Sequence, residues 1–168
     1  LTPLFLDEVF GYSTTRIGFL VTSRPLFFAL AGPVVGYLGA RLGERTLATS
    51  GAGLVVGSAL ALSFVGVGTG DLFVFVALGF AGFGLGITMP AMTAAVTNAV
   101  DERDIATASG AQQMMWQLGT AIGIEVLGSV QKSRLDAAGL ADSYAQAFMV
   151  AAAVALVGMV LASFVRRT

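Results

Sequence analysis

Long apolar runs, separated by short polar segments, dominate this 168-residue chain. Five runs reach the length of about 20 residues that a helix needs to cross ~30 Å of hydrocarbon. They lack the period-two alternation of membrane strands, and a helix satisfies its own backbone hydrogen bonds in lipid. The pattern predicts an all-α integral membrane protein with spans over residues 17–40, 46–67, 72–98, 105–130 and 145–165.

The composition supports this interpretation and narrows the chemistry. Only 11% of the residues are charged, and 56% are hydrophobic, whereas a soluble domain has about 25% charged residues. The formal net charge of −1 gives no indication of nucleic-acid binding. Without Cys or His, and without a span that holds two carboxylates, we expect no metal site, no cofactor and no enzymatic centre.

The sequence begins with an apolar segment, LTPLFL, that starts at Leu1. It has neither the basic region nor the small-residue cleavage site of a signal peptide. We expect it to be the outer end of a sixth helix and the chain to be a fragment of a longer protein.

Charge is concentrated between the first two spans, in the segment GYLGARLGERTL (36–47). This segment resembles the cytoplasmic loop signature of the major facilitator superfamily, roughly G-x-L-x-D-R-x-G-R-R. The matching positions are Gly36, Leu38, Arg41, Gly43 and Arg45. Ala40 stands where the stronger copy of the signature has Asp, and Glu44 stands where a basic residue is usual. Such erosion is typical of the copy in the C-terminal half of these proteins.

A second segment, TASGAQQMMWQLGTAIGIEVLGS (107–129), is similar to the penultimate helix of the drug:proton antiporter branch, especially its fourteen-helix subfamily. The resemblance implies most of a C-terminal six-helix half, with five complete helices and the end of a sixth. It implies proton-coupled efflux of hydrophobic or cationic drugs by alternating access, with substrate held between this half and an N-terminal half. Sugar or metabolite transport by the same superfamily, and a non-transporting membrane scaffold, remain alternatives.

Two ionisable residues lie well inside predicted spans, Arg24 and Glu125. Arg24 lies ~10 Å below Ile17, and Glu125 ~8 Å below Val130, on the same side of the membrane. Such residues are costly in lipid and often functional. A pair or a common aqueous vestibule is one interpretation, and snorkelling of each side chain to the headgroups is the other.

The fourth predicted span carries a polar stripe of Ser109, Gln113, Trp116, Gln117 and Thr120. At 100° per residue these side chains fall within about 100° of one another. Amides, hydroxyls and an indole suit a cavity for amphipathic ligands, although hydrogen bonding between helices would use the same residues. The candidate cavity residues are therefore Arg24, Gln113, Trp116, Gln117, Thr120 and Glu125.

Glycines recur four residues apart within the spans, at 32 and 36, 53 and 57, 82 and 86, and 119 and 123. Small residues at this spacing let membrane helices approach closely. The run GFGLG (82–86) lacks the strand–turn–helix context of a dinucleotide loop, so we interpret it as a packing feature.

The distribution of Lys and Arg between the loops predicts the orientation of the chain in the membrane. A cytoplasmic 41–45 loop also places Arg103, Arg166 and Arg167 on the cytoplasmic side, against Arg16, Lys132 and Arg134 on the other. We expect a multi-pass protein of the plasma membrane with a cytoplasmic C-terminus. Asp71, directly before the third span, is expected to cap it.

Overall fold

All regular structure in the described part of the chain is helical. The computed structural model describes residues 2–66 and 69–164, apart from the side chains of residues 38–40, 134–138, 140 and 141. The helices are α1 (Thr2–Glu8), α2 (Thr14–Ser63), α3 (Asp71–Thr97), α4 (Ile105–Ala138) and α5 (Leu140–Ala162), with a 3₁₀ turn at Glu102–Asp104 before α4. The predicted all-α class is confirmed for these residues.

Helix α2 consists of two arms that meet at Gly43. This residue has φ 70° and ψ 157°, outside the helical region, and glycine adopts positive φ without a steric penalty. The first arm runs from Thr14 to the residue before Gly43, and the second arm runs from the residue after Gly43 to Ser63. The sequence predicted a loop over 41–45, whereas the structure confines the break in helical geometry to one glycine. Arg41 lies just before this break and Arg45 just after it.

Helix α3 packs between the two arms of α2. Along the first arm, Phe19 stacks on Phe75 with ring centroids 5.6 Å apart, and the Arg24 backbone meets Gly82. Residue numbers rise together in these contacts, so the first arm runs parallel to α3.

The second arm of α2 runs antiparallel to α3. The Ser58 hydroxyl donates a 2.7 Å hydrogen bond to the Ala77 carbonyl, while Gly51 meets Gly84. Helix α5 packs on the other side of this arm, with the Met159 sulfur beside Gly53. Helix α4 packs mainly on α5 and touches α3 less extensively.

Two apolar clusters lie at opposite ends of the bundle. One joins α1 and α5 to the other helices and includes Phe5, Leu62, Val74, Tyr144 and Phe148. The other surrounds the end near Gly43 and consists of Ala31, Leu47, Ala48, Ile87, Ala91 and Ala162. Small side chains dominate the second cluster, which lets the helices approach closely there.

The glycine-packing prediction is confirmed for Gly82 and Gly86. A Cβ at Gly82 would lie 2.0 Å from the Arg24 carbonyl oxygen, and one at Gly86 would lie 2.6 Å from the Ala31 Cβ. The described part of the chain does not support the prediction at Gly32, Gly36, Gly57, Gly119 and Gly123. No atom of the described residues would lie within 4 Å of a Cβ at these five positions. Spacing alone does not reveal which helix face has a neighbour.

Four segments of the described chain are long and apolar enough to cross a membrane: Thr14–Tyr37, Arg41–Ser63, Asp71–Thr97 and Asp142–Ala162. Helix α4 falls outside this set because its polar residues lower its hydropathy. The predicted count of five complete spans is therefore not confirmed. The predicted ends at Val67 and Val165 lie outside the described residues.

Candidate functional site

Helix α4 carries five of the six candidate cavity residues, and its surface is largely uncovered. Gln113, Trp116, Gln117, Thr120 and Glu125 are all exposed. Thr120 directs its hydroxyl to the Trp116 carbonyl oxygen at 2.8 Å, so this hydroxyl is satisfied within the helix. The exposure follows from the limited packing of α4, which has few contacts with α3 and leaves its polar stripe accessible.

The start of α4 and the end of α3 enclose a cavity of about 500 Å³, hereafter the amide cavity. Its polar lining residues are Thr88, Thr93, Ser109, Gln112 and Gln113, and its other lining residues are Met89, Met92, Met115 and Trp116. Gln112 Nε2 donates to Thr93 Oγ1 at 3.2 Å and joins the two helices. Gln113 and Trp116, which the sequence predicted to share a helix face, both line this cavity.

A second cavity, of about 490 Å³, adjoins the amide cavity and is lined by the second arm of α2, by α3, by α5 and by Trp116 of α4. Its lining is almost entirely apolar, so it is called the apolar cavity below. The residues are Ala52, Val55, Leu85, Thr88, Met92, Trp116, Ala155, Gly158, Leu161 and Ala162. Thr88, Met92 and Trp116 line both cavities.

A third cavity, of about 520 Å³, lies toward the end of the bundle that holds Leu62 and Phe148 and is called the charged cavity. Arg24 and Glu125 both line it, together with Lys132. Among the described residues, no ion pair within 4.0 Å links Arg24 to Glu125. The structure therefore places these two residues at one cavity without an ion pair between them.

The candidate residues thus divide between separate cavities. Gln113 and Trp116 lie at the amide cavity, Arg24 and Glu125 at the charged one, and Gln117 and Thr120 line none of the three. Sequence reasoning treated Lys132 as a loop charge. Lys132 follows Glu125 by seven residues, about two helical turns, so the two side chains lie on the same face of α4. This spacing was the sequence signal that could have linked Lys132 to the cavity of Glu125.

Asp71 does not cap α3 as predicted. The N-cap residue is Gly70, and no side chain caps this end. Instead, Asp71 accepts hydrogen bonds from Arg16 at 2.7 and 2.8 Å and from the Tyr12 hydroxyl at 2.8 Å. Burial and then the hydrogen bond to Asp71 raise the pKa of Tyr12, which keeps this phenol a donor. The cluster holds the entry to α2 against the start of α3.

The loop-signature residues surround the break in α2. Gly43 forms the break itself, and Gly36 lies in the first arm with open space around it. The Arg41 guanidinium lies 4.8 Å from the centre of the Tyr37 ring, a cation–π contact. Arg45 lines a small cavity of about 370 Å³ beside Thr49 and Ser163.

Glu44, which departs from the signature, has a specific contact. It accepts a hydrogen bond from the Asn98 side-chain amide, and Asn98 is the C-cap residue of α3. The eroded signature therefore still links this turn to a neighbouring helix end, through a residue that the pattern does not include.

Comparison with known proteins gives a consistent result. The Major Facilitator Superfamily profile matches residues 1–168. The chain is 31% identical over 137 residues to the multidrug resistance protein Stp of Mycobacterium tuberculosis, which covers 82% of this chain and 25% of that protein. It is 31% identical over 129 residues to a tetracycline resistance determinant of Streptomyces rimosus, covering 76% of this chain and 37% of the relative.

A third relative is the multidrug transporter protein MdtP of Bacillus subtilis, 23% identical over 132 residues. These residues cover 79% of this chain and 24% of that protein. The chain thus spans about a quarter to somewhat more than a third of the length of these curated relatives.

Proposed function

The chain belongs to the major facilitator superfamily, and on that basis we propose that it is part of a secondary active transporter that exports hydrophobic or cationic drugs in exchange for protons. The observation that carries this proposal is the similarity, over about four fifths of the chain, to relatives named for multidrug resistance and multidrug transport. Transporters of this kind hold substrate between two halves that rock to expose it alternately. This chain would be one of those halves.

We propose that α4 is a fifth complete span in that assembly. Its 34 residues measure ~51 Å at 1.5 Å per residue, well above the ~30 Å of the hydrocarbon layer. Its low hydropathy suits a helix that faces an aqueous cavity and a second half rather than lipid alone. The exposure of Gln113, Gln117 and Thr120 supports this placement, because polar side chains within the membrane face protein or water.

The proposed orientation places the break at Gly43, and the C-terminus, on the cytoplasmic side of the plasma membrane. The positively charged residues Arg41, Arg45 and Arg103 then face the cytoplasm, as the positive-inside rule favours. The Arg16–Asp71 cluster and the charged cavity lie toward the opposite side. Drug would enter from the amide-cavity side and leave toward the charged-cavity side.

Glu125 is proposed to carry the coupled proton. It lies near the middle of α4, lines a cavity, and has Arg24 and Lys132 at the same cavity. A carboxylate among cations in a water-accessible cavity exchanges a proton without crossing lipid. Protonation of Glu125 would change the charge balance of that cavity, which provides a driving difference between two conformations.

An assay of the full-length transporter in everted membrane vesicles tests both the exchange of drug for protons and the role of Glu125 in it. A pH gradient is imposed, and proton release is followed with a ΔpH dye when an uncharged hydrophobic drug or the cation ethidium is added. We expect drug-dependent proton movement, and we expect Glu125→Gln to abolish it while drug binding persists. Glu102→Gln, an exposed carboxylate in the 3₁₀ turn, is the matched control and should behave as wild type.

The outcomes separate the alternatives. Proton movement that persists unchanged in Glu125→Gln contradicts the coupling role but leaves drug export intact. Proton movement that answers to a sugar or metabolite and not to drugs identifies a different substrate class in the same superfamily. The absence of any substrate-dependent movement supports a non-transporting membrane module instead.

A further inference from the structure

We propose that the amide cavity and the apolar cavity form one binding groove for an amphipathic small molecule whose polar head is uncharged. This inference rests on the proposed transport function and narrows its substrate class. The apolar body of the ligand would occupy the apolar cavity, and its head would hydrogen-bond in the amide cavity.

The two cavities adjoin, because three residues contribute to both walls. Thr88 and Met92 come from α3, and Trp116 comes from α4. Each cavity has a volume of about 500 Å³ or slightly less, within the range of about 300 to 1,000 Å³ that is usual for small-molecule sites. A ligand that passes beside the Trp116 ring can therefore contact both.

The amide cavity supplies hydrogen-bonding groups that are not used within the protein. Gln113 and Ser109 line it one helical turn apart, and neither forms a hydrogen bond in the described part of the chain. By contrast, Thr93 and Gln112 bond to each other, and Thr88 donates to the Gly84 carbonyl oxygen. A carboxamide and a hydroxyl both donate and accept, so they suit carbonyl, amide or hydroxyl heads.

Charge distribution argues for an uncharged head. None of the described residues that line the two cavities is Asp, Glu, Lys or Arg, whereas the charged cavity has Arg24, Glu125 and Lys132. A full charge held in the amide cavity would find no counterion among these lining residues, whereas a neutral polar head needs only hydrogen bonds.

The apolar cavity fits a hydrocarbon or aromatic body. Leu85, Val55 and Leu161 form its walls, with Trp116 at the junction. The flexible side chain of Met92 adapts to ligands of different shape, and the indole of Trp116 offers a flat apolar surface. The groove is thus polar at one end and apolar at the other, which defines the direction in which a ligand lies.

Trp116 provides a direct probe, because it is the only tryptophan in the chain. The full-length transporter, with any tryptophan outside this chain replaced by phenylalanine, is reconstituted in lipid nanodiscs and titrated with three nitroxide-labelled amphiphiles of equal chain length. Their heads are an uncharged amide, a quaternary ammonium and a carboxylate. Quenching of Trp116 fluorescence is measured, and the half-saturating concentration is used because substitutions near the indole change amplitude.

We expect saturable quenching by the amide amphiphile, reversed by its unlabelled form, and affinities at least about tenfold lower for both charged heads. Gln113→Leu should weaken binding of the amide amphiphile by about tenfold through loss of its hydrogen bonds. Gln117→Leu is the matched control, since Gln117 is exposed on the same helix but lines neither cavity, and it should leave affinity unchanged.

The apolar end has its own matched pair of variants. Gly158→Leu places a side chain in the apolar cavity, and Gly57→Leu places one on an exposed helix face. Among the described residues, no atom lies within 4 Å of a Cβ at either position, so both variants should keep the fold, which circular dichroism checks. Only Gly158→Leu should weaken binding of the amide amphiphile, by about tenfold or more.

Three results would overturn the proposal. Quenching that rises linearly and is not displaced indicates partition into nanodisc lipid, with lipid chains as the occupant. Equal affinity for a charged and the uncharged head contradicts the assignment of the head. If Gln113→Leu and Gln117→Leu change the affinity for the amide amphiphile equally, the placement of its head in the amide cavity is wrong. Each result is independent of ethidium-driven proton movement, so failure here and failure of the transport proposal are distinguishable.

Discussion

Gly82 is the position where a single methyl group should have the largest structural consequence. In Gly82→Ala the new Cβ would lie 2.0 Å from the carbonyl oxygen of Arg24. Contacts of a real Cβ below 3.0 Å essentially do not occur, so α3 and the first arm of α2 must separate by about 1 Å. The obstacle is backbone rather than a flexible side chain. Overpacking of this kind costs about 1–3 kcal/mol.

The matched substitution is Gly123→Ala on α4. A Cβ at Gly123 would have no atom of the described residues within 4 Å, and replacing a mid-helix glycine by alanine stabilises a helix by about 0.5–1 kcal/mol. The same helical gain operates at Gly82 and offsets part of its clash. We therefore expect opposite signs, with Gly82→Ala less stable than Gly123→Ala by roughly 1–3 kcal/mol.

Unfolding in mixed micelles with increasing SDS, followed by the fluorescence of Trp116, measures this difference. The wild-type chain and both variants are compared at equal lipid and detergent content, with helicity as a second observable. Stabilities of Gly82→Ala and Gly123→Ala that agree within about 0.5 kcal/mol, the usual range for substitutions without a packing consequence, would refute the close approach of α3 to α2.

Three further substitutions test contacts between helices by the same unfolding assay. Tyr144→Phe removes the 2.6 Å hydrogen bond to Glu8 and should lower the free energy of unfolding by about 1 kcal/mol; no loss would contradict that bond. Ser58→Ala removes a buried hydroxyl that donates to an α3 carbonyl and should lower the free energy of unfolding by about 0.6 kcal/mol. Ser58→Thr keeps a hydroxyl, so an equal loss in this variant would contradict the role of the hydrogen bond. Asp71→Asn weakens the exposed pair with Arg16, so its effect should be the smallest and should disappear in 1 M salt; a salt-independent loss would contradict an ionic origin.

The candidate site was only partly legible from the sequence. A polar stripe on one helix face is a local property, so Gln113 and Trp116 were found by periodicity. The partners of that stripe on α3 belong to a separate predicted span, and no spacing rule says which of its faces meets α4. In the structure, Thr88 and Met92 line the same cavities as Trp116. Gln117 and Thr120 line neither of them, although all the residues of the stripe fall within roughly 100° on the helix.

Hydrophobic length and charge placement by themselves determined the helical class, the approximate bounds of most elements and the turn at the charged segment. These features follow from the backbone's need for internal hydrogen bonds in lipid and from the cost of placing charge there, and both are read residue by residue. Tertiary structure decided which glycines touch a neighbour, that Gly84 meets Gly51, and that Arg24 shares a cavity with Glu125 and Lys132. Those facts depend on the rotation and order of the helices, which are set by the fit of whole surfaces and not by the periodicity of any one segment.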